Sequence, residues 1–413
     1  MPLTPQLQPH QERPLLWCLA AIQFTHIVDF MVMMPLGPLF IDLFHISDAQ
    51  FGLLVASYTL SSGVFGLLMS PYVDRFDRKR LLLVAYAGFI LATLACALAP
   101  TYAVLMAARI AAGAFGGLIG AMTQTLVGDL IPFERRGRAM GMIMAAFSLS
   151  TVGGVPASLW MANHWGWHLP FFAIAALSVL IWLVAARFVP SFKPPTAQGG
   201  ALSAWGQLRA GLAEPNHWRA FALAVVMMGT SFCIIPYITV FSTANVGVTN
   251  AQLPWIYLTG GIATLFTARL WGVLADRHGK VRVLRALALA AAVPMLVLTH
   301  LGPTSLPIYL CVTTAFFVFV SGRMVPAMAL VTGAAQPHLR GTFMTLQGCV
   351  QSLSMGAAAL VGGLFMGRDA NGLVTGFGWN GWMAVVLSLL TFWLAGRVRL
   401  ATVPTAPVRA AAI

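Results

Sequence analysis

The chain has 413 residues, of which 59% are hydrophobic and 8% charged, against roughly a quarter charged in a soluble domain. So few polar groups exclude a water-soluble globular protein. The net charge of +13 is scattered in short runs between apolar stretches, which excludes the contiguous basic, aromatic-interleaved stripe of a nucleic-acid binder.

Apolar stretches of membrane-spanning length recur twelve times, at 15–41, 51–72, 81–99, 102–128, 139–162, 169–189, 220–243, 252–274, 283–300, 305–333, 343–366 and 381–398. Runs of about twenty apolar residues without strict alternation form helices rather than barrel strands, because hydrocarbon offers backbone amides no partner outside the segment. An all-α membrane protein of twelve transmembrane helices is therefore expected. Cys18, Cys96, Cys233, Cys311 and Cys349 all fall in apolar stretches without paired spacing, which predicts small core residues rather than disulfides or a metal site. The first run is too long for a signal peptide and lacks a small-residue cleavage site with a polar start after it, so it is retained as helix 1. Gln23, His26 and Asp29, three residues apart, lie near one face of that helix. Asp29 is the one acidic residue well inside a predicted span, and the cost of inserting it points to a functional group facing a hydrated path. His26 is either a second titratable group on that face or an ordinary packing histidine.

Between helices 2 and 3 stands Ser70-Pro71-Tyr72-Val73-Asp74-Arg75-Phe76-Asp77-Arg78-Lys79-Arg80. A helix-end aspartate beside guanidinium groups can hold two helices together in one conformation and release them in another, a conformational latch. The alternative is that these basic residues only retain the loop in the cytoplasm. Helix 4 carries Arg109 about eight residues from its outer end, roughly 12 Å deep. Ala112, Gly113, Gly116, Gly117 and Gly120 follow it and allow close helix approach. Helix 5 contains Ser150 and Gly154-Val155-Pro156, either a functional motif or a kinked packing interface. The stretch 190–219, rich in Pro, Gly and polar residues, is the longest without a span and reads as a linker; Leu202–Leu212 within it can form a short surface helix.

The second half repeats landmarks of the first. Asp74-Arg75 recurs 202 positions later as Asp276-Arg277, within Gly272-Val273-Leu274-Ala275-Asp276-Arg277-His278-Gly279-Lys280. Arg136-Gly137 recurs 204 positions later as Arg340-Gly341. Nearly equal offsets predict duplicated six-helix halves at 15–189 and 220–398, joined by the 190–219 linker and flanked by tails at 1–14 and 399–413. Arg323 in helix 10 does not share that offset with Arg109; it binds an anionic substrate group or pairs with helix-end carbonyls, while Arg269 snorkels. Of 24 basic residues, 20 fall in tails and loops on the side of the N-terminus and Arg368 alone in the opposite loops. Both termini are therefore expected in the cytoplasm of a bacterial-type inner membrane.

These features resemble the major facilitator superfamily. Its loop signature, Gly-x-x-x-Asp-Arg-x-Gly-Arg-Lys, is matched at Gly272, Asp276, Arg277, Gly279 and Lys280. The first copy keeps Asp74, Arg75, Arg78 and Lys79 but has Ser70 and Asp77 where glycines are expected. Leu105, Arg109 and Gly113 in helix 4 are spaced like the motif of that family's proton-coupled antiporters, and Gly154-Val155-Pro156 resembles the helix-5 motif of its efflux members with one residue between Gly and Pro. The resemblance implies two pseudo-symmetric six-helix bundles around a central cavity, within the twelve-helix drug:proton antiporter group that includes sugar- and nucleoside-efflux-like bacterial permeases. It implies proton-driven export by alternating access, with Asp29, His26 and Arg109 in proton coupling. A latch would comprise Asp74, Arg75, Arg78, Lys79, Asp276, Arg277, Gly279 and Lys280, together with Arg136 and Arg340.

Candidates to line the cavity are Gln23, Met33, Tyr58, Met140, Met144, Phe147, Met227, Met228, Phe232, Tyr237, Tyr257, Phe316, Phe317, Arg323, Gln347 and Gln351; Met and aromatic side chains adapt to varied apolar ligands. No phosphate-binding loop, dinucleotide fingerprint, metal-spaced His/Cys set or nucleophile elbow is present. No enzymatic reaction, metal or cofactor is therefore expected, and the energy comes from a proton gradient. The expected partners are a small, partly apolar substrate, protons and membrane lipid, without nucleic acid, and the working unit is a monomer. A proton-coupled nutrient importer would use the same Asp29 and Arg109 with opposite coupling. A non-transporting membrane sensor would need an appended soluble domain.

Overall fold

With no water in a bilayer core, each apolar run closes its backbone hydrogen bonds within itself, and the chain is helical almost throughout. The computed structural model describes residues 9–70, 72, 76–131, 133–191, 204–336 and 339–400. The first six expected spans correspond to α1 (Pro9–Val32) with α2 (Gly37–Phe44), α3 (Asp48–Met69), α4 (Arg78–Ala97), α5 (Tyr102–Leu130), α6 (Phe133–Leu149) with α7 (Val155–Trp165), and α8 (His168–Phe188). Next comes α9 (Ala204–Ala213), a short helix inside the stretch read as a linker. The remaining spans are α10 (Pro215–Phe232) with α11 (Ile238–Phe241), α12 (Leu253–His278), α13 (Lys280–His300), α14 (Leu306–Ala334), α15 (Arg340–Leu364) and α16 (Phe377–Ala395).

Three spans expected to be continuous are broken, each beside a proline that lacks the amide hydrogen a helix needs. In the first, α1 stops at Val32 and α2 restarts with Pro38 in its opening turn. In the fifth, a π-helical turn over Ser150–Gly154 precedes Pro156. In the seventh, a 3-10 turn over Ile235–Tyr237 holds Pro236, and a π-helical turn over Ser242–Val246 ends the span. Among the described residues, eleven helical stretches are long and apolar enough to cross a membrane. The helix in the eleventh expected place, α15, has the length at 25 residues but carries Gln347, Gln351, Ser352 and Ser354. A two-stranded antiparallel hairpin, β1 (Gly367–Arg368) with β2 (Val374–Thr375), is an unexpected addition between α15 and α16.

Lipid replaces water as the outer solvent, and the outer faces are apolar accordingly: Leu180 and Leu183 on α8, Phe266 and Leu270 on α12, and Val386 and Trp393 on α16 are exposed. Cys311 is also exposed, contrary to its expected place in the core, whereas the other four cysteines are buried; all five are free thiols. Inside, six-helix bundles form before and after α9. Packing along α3 against α5 and α4 against α5 and α8 builds the first bundle, and α12 against α14 and α13 against α14 and α16 the second. Helices α3 and α15 run along each other across the join.

The apolar cores divide unevenly between the two ends. At the end bearing the α2–α3 loop and the hairpin, one core is shared by both bundles, drawing Phe40 and Phe51 together with Tyr237, Val240 and Phe377. Toward the end bearing the chain termini each bundle has its own, around Tyr86 and Met122 in the first and around Phe221 and Phe343 in the second. The side-chain bonds that join the bundles reinforce the shared end. Thr239 donates to the Met34 carbonyl at 3.0 Å, Asn163 donates to the Asn250 carbonyl at 2.9 Å, and Arg368 pairs with Asp48 at 3.2 Å.

Candidate functional site

The deepest polar constellation lies within the first bundle, where α1, α4 and α5 meet. Asp29 and Arg109 are both fully buried. The Arg109 Nη1 donates to Asp29 Oδ2 at 2.9 Å and to the Asp29 carbonyl at 3.1 Å. Thr93 on α4 donates its hydroxyl to the other carboxylate oxygen, Oδ1, at 3.1 Å. Both carboxylate oxygens are thereby occupied, and the guanidinium lies 4.3 Å from the centre of the Tyr58 ring on α3. Cation and carboxylate neutralise each other in a place where neither could be left alone cheaply, and the Tyr58 face adds to the cation's surroundings, although among the described residues Arg109 Nε and Nη2 have no hydrogen-bond partner.

A small residue on α5 permits this arrangement. A Cβ at Gly113 would lie 2.1 Å from the Tyr58 carbonyl oxygen and 2.3 Å from Ser61 Oγ, so only glycine lets α5 sit close enough to α3 to place Tyr58 over Arg109. His26 does not touch the ion pair. Its ring stands 6.1 Å from the Tyr58 ring and 6.0 Å from Phe89, with both ring nitrogens buried and unpartnered. Gln23 is half-buried on the same helix. Gly154 abuts α1 one residue before Asp29: a Cβ there would lie 2.4 Å from Val28 Cγ2. The helix-5 motif thus acts as a packing contact behind the pair, with the π-helical turn taking up the strain of Pro156.

The loop motif is partly visible. Arg78 is buried at the start of α4 and pairs through Nε with Asp129 Oδ2 near the end of α5, at 3.0 Å. Asp77 does not need the backbone freedom of the glycine it replaces, because its φ is −62°; it caps α4 by accepting from the Arg80 amide at 2.9 Å. The Ser191 hydroxyl also donates to it, at 2.6 Å. Slight burial pushes the Asp77 carboxyl up, but the bonds from Ser191 and Arg80 and the Arg80 charge outweigh it and hold it below the usual carboxylate range. Lys79 is half-buried. Asp74 and Arg75, and the side chains of Arg136, Met144 and Arg340, lie outside the described residues. In the second copy, Asp276 and Arg277 are exposed in the last turn of α12, Gly279 makes the turn at φ +90°, and Lys280 opens α13. Among the described residues Asp276 forms no ion pair.

The remaining candidates scatter. Met33 and Tyr237 are packed into the shared core rather than facing a cavity, and the Tyr237 hydroxyl donates to the Ala359 carbonyl. Tyr58 belongs to the ion-pair site, and Phe147 is 48% exposed. Phe232 meets Phe30 across the join, ring centres 6.0 Å apart. Tyr257 and Phe317 stand 5.9 Å apart in the second bundle, the Tyr257 hydroxyl unpartnered. Met228 and Gln351 line one small gap, and buried Gln347 has neither amide atom bonded. Arg323 is fully buried, and among the described residues its hydrogen bonds go to two serines, Ser388 Oγ at 3.3 Å and Ser231 Oγ at 3.4 Å. Thr93, Asp129 and the Asp48–Arg368 pair were not among the candidates. Of these, only Asp129 had a signal: an acid closing an apolar span opposite a basic loop.

Comparison with known proteins gives one answer. The sequence profile of the Major Facilitator Superfamily matches residues 19–241 and 219–412. The chain is 25% identical over 368 residues to the "Uncharacterized MFS-type transporter YceJ" of Bacillus subtilis (strain 168), spanning 88% of this chain and 92% of that protein. Among solved structures, a bacterial homologue of the human lysosomal transporter Spinster, inward-facing and unoccupied, superposes with a TM-score of 0.73 at 16% identity, over 96% of this chain and 100% of that one. A D-xylose-proton symporter superposes with a TM-score of 0.75 at 17% identity, over 93% of this chain and 96% of that one.

Proposed function

Because the chain belongs to the major facilitator superfamily, and is a transporter of that family, we propose that it is a proton antiporter that exports a small, partly apolar molecule by alternating access. The observation that carries this reading is the buried Asp29–Arg109 pair. Of the two partners, Asp29 is the one that can bind and release a proton, since Arg109 stays charged. Protonation of Asp29 would free Arg109 and Thr93 from it, which links proton occupancy to the packing of α1 against α4 and α5. The cavity between the bundles 15–189 and 220–398 would then change access as the shared core at one end parts and the other end closes.

We place both termini in the cytoplasm of a bacterial-type inner membrane, because the basic residues concentrate on that side. The end joined by Asp48 and Arg368, where the two bundles share one core, then faces outward. In this reading the working unit is a monomer, and the proton gradient, rather than a cofactor, supplies the energy. The direction is tested with everted vesicles from cells overexpressing the protein, using a compound to which those cells become resistant. Acidifying the lumen should drive that compound inside. Accumulation driven by the opposite gradient would instead establish a symporter.

A further inference from the structure

Arg323 lies deep within α14, eleven residues from its end at Ala334, which is roughly 16 Å of helix. Its side chain is fully buried. A guanidinium has five donors; here Nη1 and Nη2 each reach one serine hydroxyl, at 3.3 and 3.4 Å, and Nε reaches nothing. Both contacts are longer than the ~2.7–2.9 Å of a charge-assisted bond. Among the described residues no carboxylate pairs with it. The sequence gives the reason. From α10 onward the acids are Asp276 and Asp369, one near the end of α12 and one in the hairpin, at opposite ends of the bundle.

The contrast with Arg109 is direct. Both arginines are fully buried, but Arg109 has Asp29 at 2.9 Å and Arg323 has no counter-charge. A cation kept in the membrane interior without an anion is costly unless something else supplies one. Resting on the transporter reading above, we propose that Arg323, with Ser231 and Ser388, receives the anionic group of the substrate, and that the substrate is an organic anion. The surroundings fit an apolar body attached to that charge. From Met324 beside it, and from Ala327 and Met227 one helical turn from Arg323 and Ser231, a narrow gap of about 10 Å³ opens between α10, α14 and α15, lined also by Met228 and Gln351. Methionines can open such a gap around a ligand. Gln347, one turn from Gln351 with both amide atoms buried and unpartnered, offers a further polar contact.

The test is thermal unfolding of the purified full-length protein in detergent and low-salt buffer, with three probes of one shape: 2-naphthoate, 2-naphthamide and 2-naphthylmethylammonium. Chloride alone is titrated as a separate arm. Only 2-naphthoate should raise the unfolding midpoint, with an apparent affinity roughly ten-fold or more weaker in Arg323→Gln. Arg323→Lys, which keeps the charge but not the fork, should fall between. Without probe, Arg323→Gln should melt no lower than the wild type, since it removes an unpaired buried charge; a lost response then reflects the site and not the fold. A full response to chloride that leaves 2-naphthoate nothing to add would make this an inorganic-anion site and overturn the substrate class. Equal stabilisation by the amide or the ammonium, an unchanged 2-naphthoate response in Arg323→Gln, or no response to any probe would also overturn it. Proton movement in reconstituted vesicles is a separate readout. Proton coupling without an anion response sinks this assignment alone, and an anion response without proton coupling sinks only the antiport reading.

Discussion

A carboxylate taken wholly out of water is tolerated when a cation and a donor share its charge, and Asp29 has both in Arg109 and Thr93. Replacing it by Asn keeps the shape and an acceptor oxygen for Arg109 while removing the proton site. Asp29→Asn should therefore abolish substrate-induced proton movement in reconstituted vesicles. It should also lower stability by up to about 3–5 kcal/mol, because Arg109 loses its counter-charge, so the comparison is made at equal amounts of folded protein. Wild-type proton coupling in that variant would reduce Asp29 to a structural anchor. The insertion cost of each residue was visible in the sequence and made Arg109 a candidate partner for Asp29 although 80 positions separate them; which atoms meet was not visible. Thr93 was not visible at all: a threonine in an apolar run looks the same whether its hydroxyl bonds its own helix or a neighbour. Thr123 and Thr125 do the former, donating to the Ile119 and Ala121 carbonyls.

At the scale of helices, close approach matters more than polarity. Helix α5 reaches α3 at Gly113, where a Cβ would stand 2.1 Å from the Tyr58 carbonyl oxygen, a backbone atom that cannot swing aside. Gly113→Val should therefore force α3 and α5 apart, at a cost of about 1–3 kcal/mol or more, and move Tyr58 off Arg109. The expected result is a lower unfolding midpoint in detergent together with impaired transport; an unchanged midpoint would show that the pair of helices has slack. The glycines of helix 4 were legible as a packing stripe, and Pro156 of the fifth span as a candidate kink. Where each span breaks was not legible, because apolar periodicity continues through a break whose position is set by neighbouring helices. The loop motif shows the same limit. Asp77 stood out as a departure from a glycine pattern, yet its cap on α4 serves the turn without glycine's backbone freedom.

The whole molecule is held by an asymmetry between its ends: one core shared at one end, two separate cores at the other. Asp48 and Arg368 belong to the shared end; Asp48 is buried and Arg368 is 37% exposed, so solvent screening leaves the pair worth about 1 kcal/mol at most. Asp48→Asn should still increase the population parted at that end, by up to roughly five-fold, since about 1 kcal/mol is a factor of that size in an equilibrium constant. Spin labels on exposed Leu43 and Leu373 would report it as a longer distance; an unaltered distribution would assign the lock to the apolar core alone. Which compartment that end faces is the remaining question of scale. Twenty basic residues lie in tails and loops on the other side and Arg368 alone on this one, and basic loops are retained in the cytoplasm. Thr249 is exposed at the shared end, in the loop that follows the seventh span, and Gln198 belongs to the stretch joining the bundles. With exposed Cys311 first replaced by Ser to silence background, a membrane-impermeant maleimide applied to intact cells should modify a cysteine placed at Thr249 and leave one at Gln198 untouched. The reverse pattern would invert the molecule in the membrane. The shared core would then close the cytoplasmic side, with Asp48 and Arg368 joining the bundles there.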